Sequence, residues 1–271
     1  MPAPDAFAAD LALLGAAAIE AGAIARRHFK QGAKVWDKGG GQGPVTEADL
    51  EVNARLHAFL GAARPGYGWL SEESDPLGDT ARLGHETTFV IDPIDGTRAF
   101  IDGQPGFAHA LAVVHRGQPV AAVVHLPMLA LTYTAARGAG AWLNGAPIAV
   151  HRADAASAAR VLAARPMFEA AHWPGGMPSM ERHFRPSLAW RLALIGEGRF
   201  DAMLTLRDTW DWDIAASSLI AAEAGALVTD RHGAPLRFNT ASAHNPGVIA
   251  AAPALHGRLL HGLTPPAAPR S

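Results

Sequence analysis

Between residues 108 and 150 the chain consists almost entirely of strand-forming sequence, and this run limits the possible folds more than any other feature. Segments 110–114, 120–126 and 131–135 are short apolar runs joined by turn residues such as Arg116-Gly117. Segment 142–148 carries Asn144-Gly145, a dipeptide suited to the tight turn of a hairpin. The spacing predicts an antiparallel meander. Such a sheet must bury at least one face, and two helical patterns stand upstream to cover it. In residues 5–30, Phe7, Leu11, Leu14, Ile19 and Ile24 recur near helical spacing, and Gly32 can end the run. In the second pattern Thr46 stands three residues before Asp49, a capping box with a shorter acid, and Val52, Leu56 and Leu60 supply the buried face. Between the two helices, Lys38-Gly-Gly-Gly-Gln-Gly-Pro44 reads as a loop. No Gly-Lys-Ser/Thr follows it, so it is not a phosphate-cradling loop of that kind.

The pattern changes after a connector at residues 151–158. Strand signals at 161–164, 201–206, 227–229 and 248–252 alternate with helical ones at 187–198, 214–225 and 253–263. Residues 1–150 are therefore expected to form an α+β half with an antiparallel sheet, and residues 151–271 an α/β half. The Pro/Ala-rich end, residues 264–271, is expected to fray.

Composition narrows the function. At 271 residues and 49% hydrophobic the chain can build a sizeable core without staples. Its net charge is −2, and its basic residues are scattered, which argues against a nucleic-acid polymer or an anionic membrane as partner. With no cysteine, any metal must be held by oxygen or imidazole ligands. The start lacks the pattern of a signal peptide, and the apolar run at 11–25 is shorter than the roughly 20 residues that span a bilayer. A cytoplasmic location is expected.

The chemistry concentrates in Phe89-Val-Ile-Asp92-Pro-Ile-Asp95-Gly-Thr97, where an apolar strand ends in two aspartates three positions apart. Carboxylates at a strand end project into a cleft, and Gly96 lets backbone approach a ligand closely. Oxygen ligands without sulfur suit a hard cation such as Mg²⁺. Glu72-Glu73 follows another apolar run, Asp213 opens a helix, and Asp49 lies in the first turn of another. Taken alone, the last two read as helix-cap acids. The thirteen histidines form no His-Glu-x-x-His, and His109, His115 and His125 stand singly in strand patterns as core or surface residues. Ser217-Ser218 lacks the Gly-x-Ser-x-Gly elbow of a serine hydrolase.

Val45-Thr-Glu-Ala-Asp49, Ser71-Glu-Glu-Ser74, Asp92-Pro-Ile-Asp-Gly-Thr97 and Trp212-Asp213-Ile-Ala-Ala216 occur in that order, which resembles the inositol monophosphatase family from about residue 10 to 262. The resemblance implies a layered α-β-α-β-α sandwich and a Mg²⁺-dependent, lithium-sensitive phosphatase, commonly a homodimer, acting on a small phosphorylated metabolite. It further implies that Glu72, Asp92 and the Ile94 carbonyl hold one Mg²⁺, that Asp92, Asp95 and Asp213 hold a second, and that Asp49 lies near a weaker third. Glu72 and Thr97 would orient the attacking water, and the Gly96-Thr97 backbone would bind phosphate. Haloacid-dehalogenase-like phosphatases use a closely similar Asp-x-Asp-Gly-Thr, but here two residues separate the aspartates. A non-catalytic metal- and phosphate-binding regulator is the other reading.

On substrate, family members acting on inositol phosphates place a Glu seven residues before the Trp-Asp aspartate, where this chain has Leu206. Arg98-Ala-Phe-Ile after Asp-Gly-Thr looks more like the 3′(2′),5′-bisphosphate nucleotidases and histidinol-phosphate phosphatases. Pro186-Ser-Leu-Ala-Trp-Arg191-Leu-Ala and Asn239 resemble the former, with Arg191 or Arg207 available to a second phosphate. Hydrolysis of 3′-phosphoadenosine 5′-phosphate to AMP is the favoured expectation, ahead of histidinol phosphate and inositol phosphates.

Overall fold

The computed structural model of the chain describes residues 7–39, 43–75, 80–151 and 157–263. Its first helix, α1 (Ala8–His28), buries Leu14, Ala17, Ala18, Ala21 and Ile24. By length and composition this helix is apolar enough to cross a bilayer, because it runs past both ends of the apolar segment marked by the sequence. Here that apolar face packs on a sheet. Two short strands follow, β1 (Val35–Asp37) and β2 (Pro44–Thr46), paired antiparallel where the sequence suggested only loop. Residues 40–42 between them, like 152–156 of the connector and 264–271 at the end, lie outside the described residues.

Thr46 caps α2 (Glu47–Ala63) through the capping box expected, with Val52, Leu56 and Leu60 fully buried. A seven-stranded sheet comes next. Its members are β3 (Gly68–Ser71), β4 (Thr87–Asp95), β5 (Ala108–His115), β6 (Gln118–Leu126), β7 (Leu131–Ala136), β8 (Gly140–Leu143) and β9 (Ala146–Pro147). From β4 onward it is the antiparallel meander, and Asn144 and Gly145 make its last turn with φ of 49° and 82°. Only β3 departs, joining β4 in parallel after the crossover through residues 72–86. The short helix α3 (Thr97–Ile101) leaves the end of β4.

The second sheet runs β11-β10-β12-β16-β14. It is built from β10 (Ala159–Leu162), β11 (Met180–His183), β12 (Ala202–Thr205), β14 (Leu227–Thr229) and β16 (Val248–Ala251). A separate pair, β13 (Thr209–Trp210) and β15 (His244–Asn245), flanks it. The alternation of helix and strand suggests a parallel sheet, but this one is mixed: β10 is parallel to β11 and β12, whereas β16 is antiparallel to β12 and β14. Strand β11, Met180-Glu-Arg-His183, escapes the sequence reading because it is an edge strand in which Met180 alone is apolar and packs on the core. Helices α4 (Leu188–Gly196), α5 (Asp211–Glu223) and α6 (Pro253–Leu263) complete the chain.

Side-chain alternation sorts these elements into layers. Phe89, Ile91, Leu111 and Val113 face α1 and α2, while Val90, Ala110, Ala112 and Val124 face Leu192, Ala215 and Leu219 of α4 and α5. Met203, Val248 and Ala250 meet the other side of those two helices, and Leu204, Ile249 and Ala251 pack on Leu255 and Leu259 of α6. The order is α-β-α-β-α. Because α5 lies between two sheets it is buried almost all round, from Ile214 to Ala221, which is why its sequence shows no polar stripe. The same alternation turns Asp92 towards α4 and α5.

Candidate active site

The site forms where β4 runs out. Asp92 pairs with Ala110 and Asp95 with Ala108, so one extra residue bulges from β4 between them. Gly96 then takes φ +96°, a left-handed conformation that favours glycine, and turns the chain into α3. On the far side the first turn of α5 brings Asp213 in. Carboxylate oxygens of Asp92, Asp95 and Asp213 all lie within 4.8 Å of one another, with the first two buried.

Each carboxyl is held differently. Asp95 Oδ2 accepts hydrogen bonds from the Ser187 hydroxyl and the Ala189 N–H, both at 2.6 Å. Ser187 is at once the N-cap of α4, accepting from Trp190 N, so the start of that helix grips Asp95. Burial pushes the Asp95 pKa up even against these bonds. Burial also pushes Asp92 and Asp213 well above the ordinary carboxylate range, and the neighbouring carboxylates Glu72 and Asp95 add to it. Asp92 Oδ1 is buried and accepts no hydrogen bond among the described residues.

Asp49 is both a cap and a member of this constellation. Its Oδ2 accepts from Thr46 N at 2.9 Å and from the Thr46 hydroxyl at 2.5 Å, and its Oδ1 lies 3.3 Å from Thr97 Oγ1. Burial raises its pKa to about 6. Thr97 Oγ1 also sits 3.0 Å from the Ile94 carbonyl.

Lys38, which sequence reasoning did not single out, places its ammonium 2.9 Å from Glu72 and 2.7 Å from Glu73. Burial works against its charge, but the two glutamates override that and hold its pKa above the ordinary value. Burial lifts Glu73 to about 7 in spite of Lys38. Spacing alone gave no sign of this contact, because it depends on β1 and β2 folding back towards the end of β3.

These groups open onto a cleft of about 510 Å³, lined by Lys38, Glu72, Arg207, Trp210, Trp212 and Asp213 among others. Trp210 is stacked on Trp212 at 4.5 Å and against His244 at 3.4 Å, making one stiff wall. Arg207 is exposed and lines the cleft. Arg191 is not brought there. Its Nε donates to the Arg185 carbonyl and one Nη to Pro186 O, with the guanidinium 4.2 Å over Phe184. Burial draws its pKa down to about 10, opposed by Asp95. Asn239 likewise serves the scaffold, donating through its N–H to Asp211 and through its amide to Thr88 Oγ1 and accepting from Arg82.

Three clustered carboxylates without imidazole or thiol are the donor set of a hard divalent cation. The partnerless Asp92 oxygen and the raised pKa values fit it: the pocket has anionic donors in excess of the protons and cations that would satisfy them.

The inositol monophosphatase family model matches residues 9–264. The chain belongs to that family. A 3′(2′),5′-bisphosphate nucleotidase, CysQ, of Aggregatibacter actinomycetemcomitans is 33% identical over 213 residues, covering 72% of this chain and 75% of that protein. An inositol-1-monophosphatase of Rhizobium meliloti is 35% identical over 70% of this chain and 73% of its own length. A histidinol-phosphatase of Mycobacterium tuberculosis is 31% identical, covering 80% and 83%. Among solved structures, the extragenic suppressor protein SuhB of Bartonella henselae superposes with a TM-score of 0.81 at 27% identity, covering 95% of this chain and 99% of that one. The protein is thus a metal-dependent phosphoric monoester hydrolase of a Mg²⁺-dependent family whose phosphatases act on small phosphorylated metabolites.

Proposed function

We propose that the protein hydrolyses 3′-phosphoadenosine 5′-phosphate to AMP and phosphate. The supporting observation is Arg207, an exposed cation that lines the same cleft as Glu72 and Asp213. A substrate with two phosphates would place one at the metal and the other on this guanidinium. Leu206 supports the same reading, since it offers no carboxylate to the vicinal hydroxyls of an inositol.

In this account Glu72, Asp92 and the Ile94 carbonyl would hold one Mg²⁺, and Asp92, Asp95 and Asp213 would hold a second, with Asp49 near a weaker third. When bound, paired ions activate a water and offset charge on the departing oxygen. Glu72, whose Oε1 is held by Lys38, would accept a proton from the attacking water. Thr97 orients that water, itself held by Asp49 and the Ile94 carbonyl. The backbone at Gly96 and Thr97 seats the phosphoryl oxygens. Arg191 stays on its carbonyls and adds positive field near Asp95 and Asp213.

The test compares kcat/KM on 3′-phosphoadenosine 5′-phosphate, histidinol phosphate and inositol 1-phosphate. The bisphosphate is expected to lead, and Arg207→Ala should raise its KM about tenfold, the worth of one charge-assisted hydrogen bond, with little change on the monophosphates. A hundredfold preference for either rival contradicts the proposal.

A further inference from the structure

The bulge that carries the carboxylates is held from behind. Pro93 has no N–H, and its carbonyl is met by Nδ1 of His109 on β5, at 2.5 Å. A carbonyl only accepts, so Nδ1 carries the proton of this imidazole. Burial keeps His109 neutral, with its pKa drawn down to about 3, so this is the ring's one N–H. By the alternation of β5, His109 lies with Leu111 and Val113 on the α1 side of the sheet, whereas Asp92 faces α4 and α5. The imidazole therefore presses on the bulge from the side opposite the cleft.

His109 does not stand alone. His125 is its direct cross-strand partner on β6, and the two rings stack at 6.1 Å and 26°. Thr132 Oγ1 fixes His125 Nδ1 at 2.9 Å. Gly22 of α1 closes over the pair so tightly that a Cβ there would lie 2.8 Å from His125 Nε2. Among the described residues, Nε2 of neither ring has a hydrogen-bond partner. Two buried imidazoles with idle nitrogens are a costly way to fill a sheet face that Val or Leu would fill. The one polar bond His109 makes among the described residues, to Pro93, accounts for it.

We propose that His109 is a positioning residue for the phosphatase reaction: its Nδ1–H holds the Pro93 carbonyl, braced by His125, so that the bulge offers Asp92, the Ile94 carbonyl and Asp95 to Mg²⁺ in the geometry binding requires. This rests on the ligand assignment made above. His109→Leu keeps the volume and removes the donor, whereas His109→Asn retains an amide N–H near the place of Nδ1. The Leu variant should need about tenfold more Mg²⁺, both for half-maximal turnover and for half of the Mg²⁺-induced rise in Tm, as loss of an outer partner of a metal ligand does. Its KM at saturating Mg²⁺ should be little changed, and the Asn variant should recover most of the metal affinity. Wild-type Mg²⁺ dependence in the Leu variant, or equal impairment in both, overturns the proposal. The imidazole ¹⁵N shifts of the unmodified protein give a reading that does not depend on the Leu variant folding. The signal lost in His109→Asn should be that of a neutral ring protonated at Nδ1, and protonation at Nε2 overturns the proposal. Asp92→Asn separates the two levels. If it keeps the Mg²⁺-induced rise in Tm, the ligand assignment fails and the proposal with it; if it loses that rise while His109→Leu keeps it, the positioning role alone fails.

Discussion

Asp95→Asn is expected to lower kcat about a thousandfold, ~4 kcal/mol of transition-state stabilisation, while the protein stays folded. The two halves of the prediction come from the two oxygens of one carboxylate. Oδ2 is fully engaged by the Ser187 hydroxyl and the Ala189 N–H, and the amide oxygen of asparagine can accept both bonds. With Oδ2 taken up by those two donors, Oδ1 is the oxygen left for the cluster in which Asp95 joins Asp92 and Asp213. Asparagine puts an N–H₂ there, which repels a cation and donates to the neighbouring carboxylates. The metal-free variant should therefore melt no lower than the metal-free parent, yet gain little Tm when Mg²⁺ is added. Thermal melts with and without Mg²⁺, beside single-substrate kinetics, check both halves. Near-normal turnover in the variant would contradict the metal assignment.

Metal removal should have an effect of similar size on activity and a distinctive one on stability. With EDTA, turnover falls to background. The metal-free protein should then lose stability as pH rises from 6.5 to 8.5. Burial raises Glu73 and Asp211 to about 7, and holds Asp92 and Asp213 well above their ordinary range. In that window the folded protein keeps protons that the unfolded chain has already released. Stability therefore drops with increasing pH until the raised values are passed. His109 and His125 work the other way, being drawn down to about 3 and about 4 by burial, but their contribution is lost only as pH falls below the unfolded value of about 6.5. They oppose the slope only at its lower end, about pH 6.5, where the unfolded imidazoles are still half protonated. Mg²⁺ favours the ionised carboxylates, so it should flatten or reverse the slope. Tm measured at pH 6.5, 7.5 and 8.5, with EDTA and with Mg²⁺, gives the result directly. A metal-free protein equally stable at 6.5 and 8.5 would mean that these carboxylates are not crowded as described.

What the sequence made legible was local. The Thr46–Asp49 capping box, the Asn144-Gly145 turn and the apolar runs of β4 to β7 depend on residues a few positions apart, and all three occur as read. The acidic motifs were legible for another reason: Asp92, Asp95 and Asp213 are unusual at the ends of apolar elements. What pairs them was not. The Lys38 contact to Glu72 and Glu73 spans 34 and 35 residues, and the Ser187 grip on Asp95 spans 92. Ser187 opens the helical pattern read at 187–198, and the structure makes it the cap of that helix as well. Arg191 reads in sequence as a cation available to a second phosphate, but tertiary packing folds it onto the Arg185 and Pro186 carbonyls, leaving Arg207 at the cleft. His109 and His125 give no signal until β5 and β6 are placed in register and the bulge in β4 is seen opposite them.

Anomalous diffraction from crystals grown with Mn²⁺ in place of Mg²⁺ bears most directly on the carboxylate cluster as a metal centre. A peak is expected among Asp92, Asp95 and Asp213, with their oxygens at coordination distances of about 2.0–2.5 Å. Strong Mn²⁺ peaks elsewhere, with those three side chains turned away from one another, would contradict it.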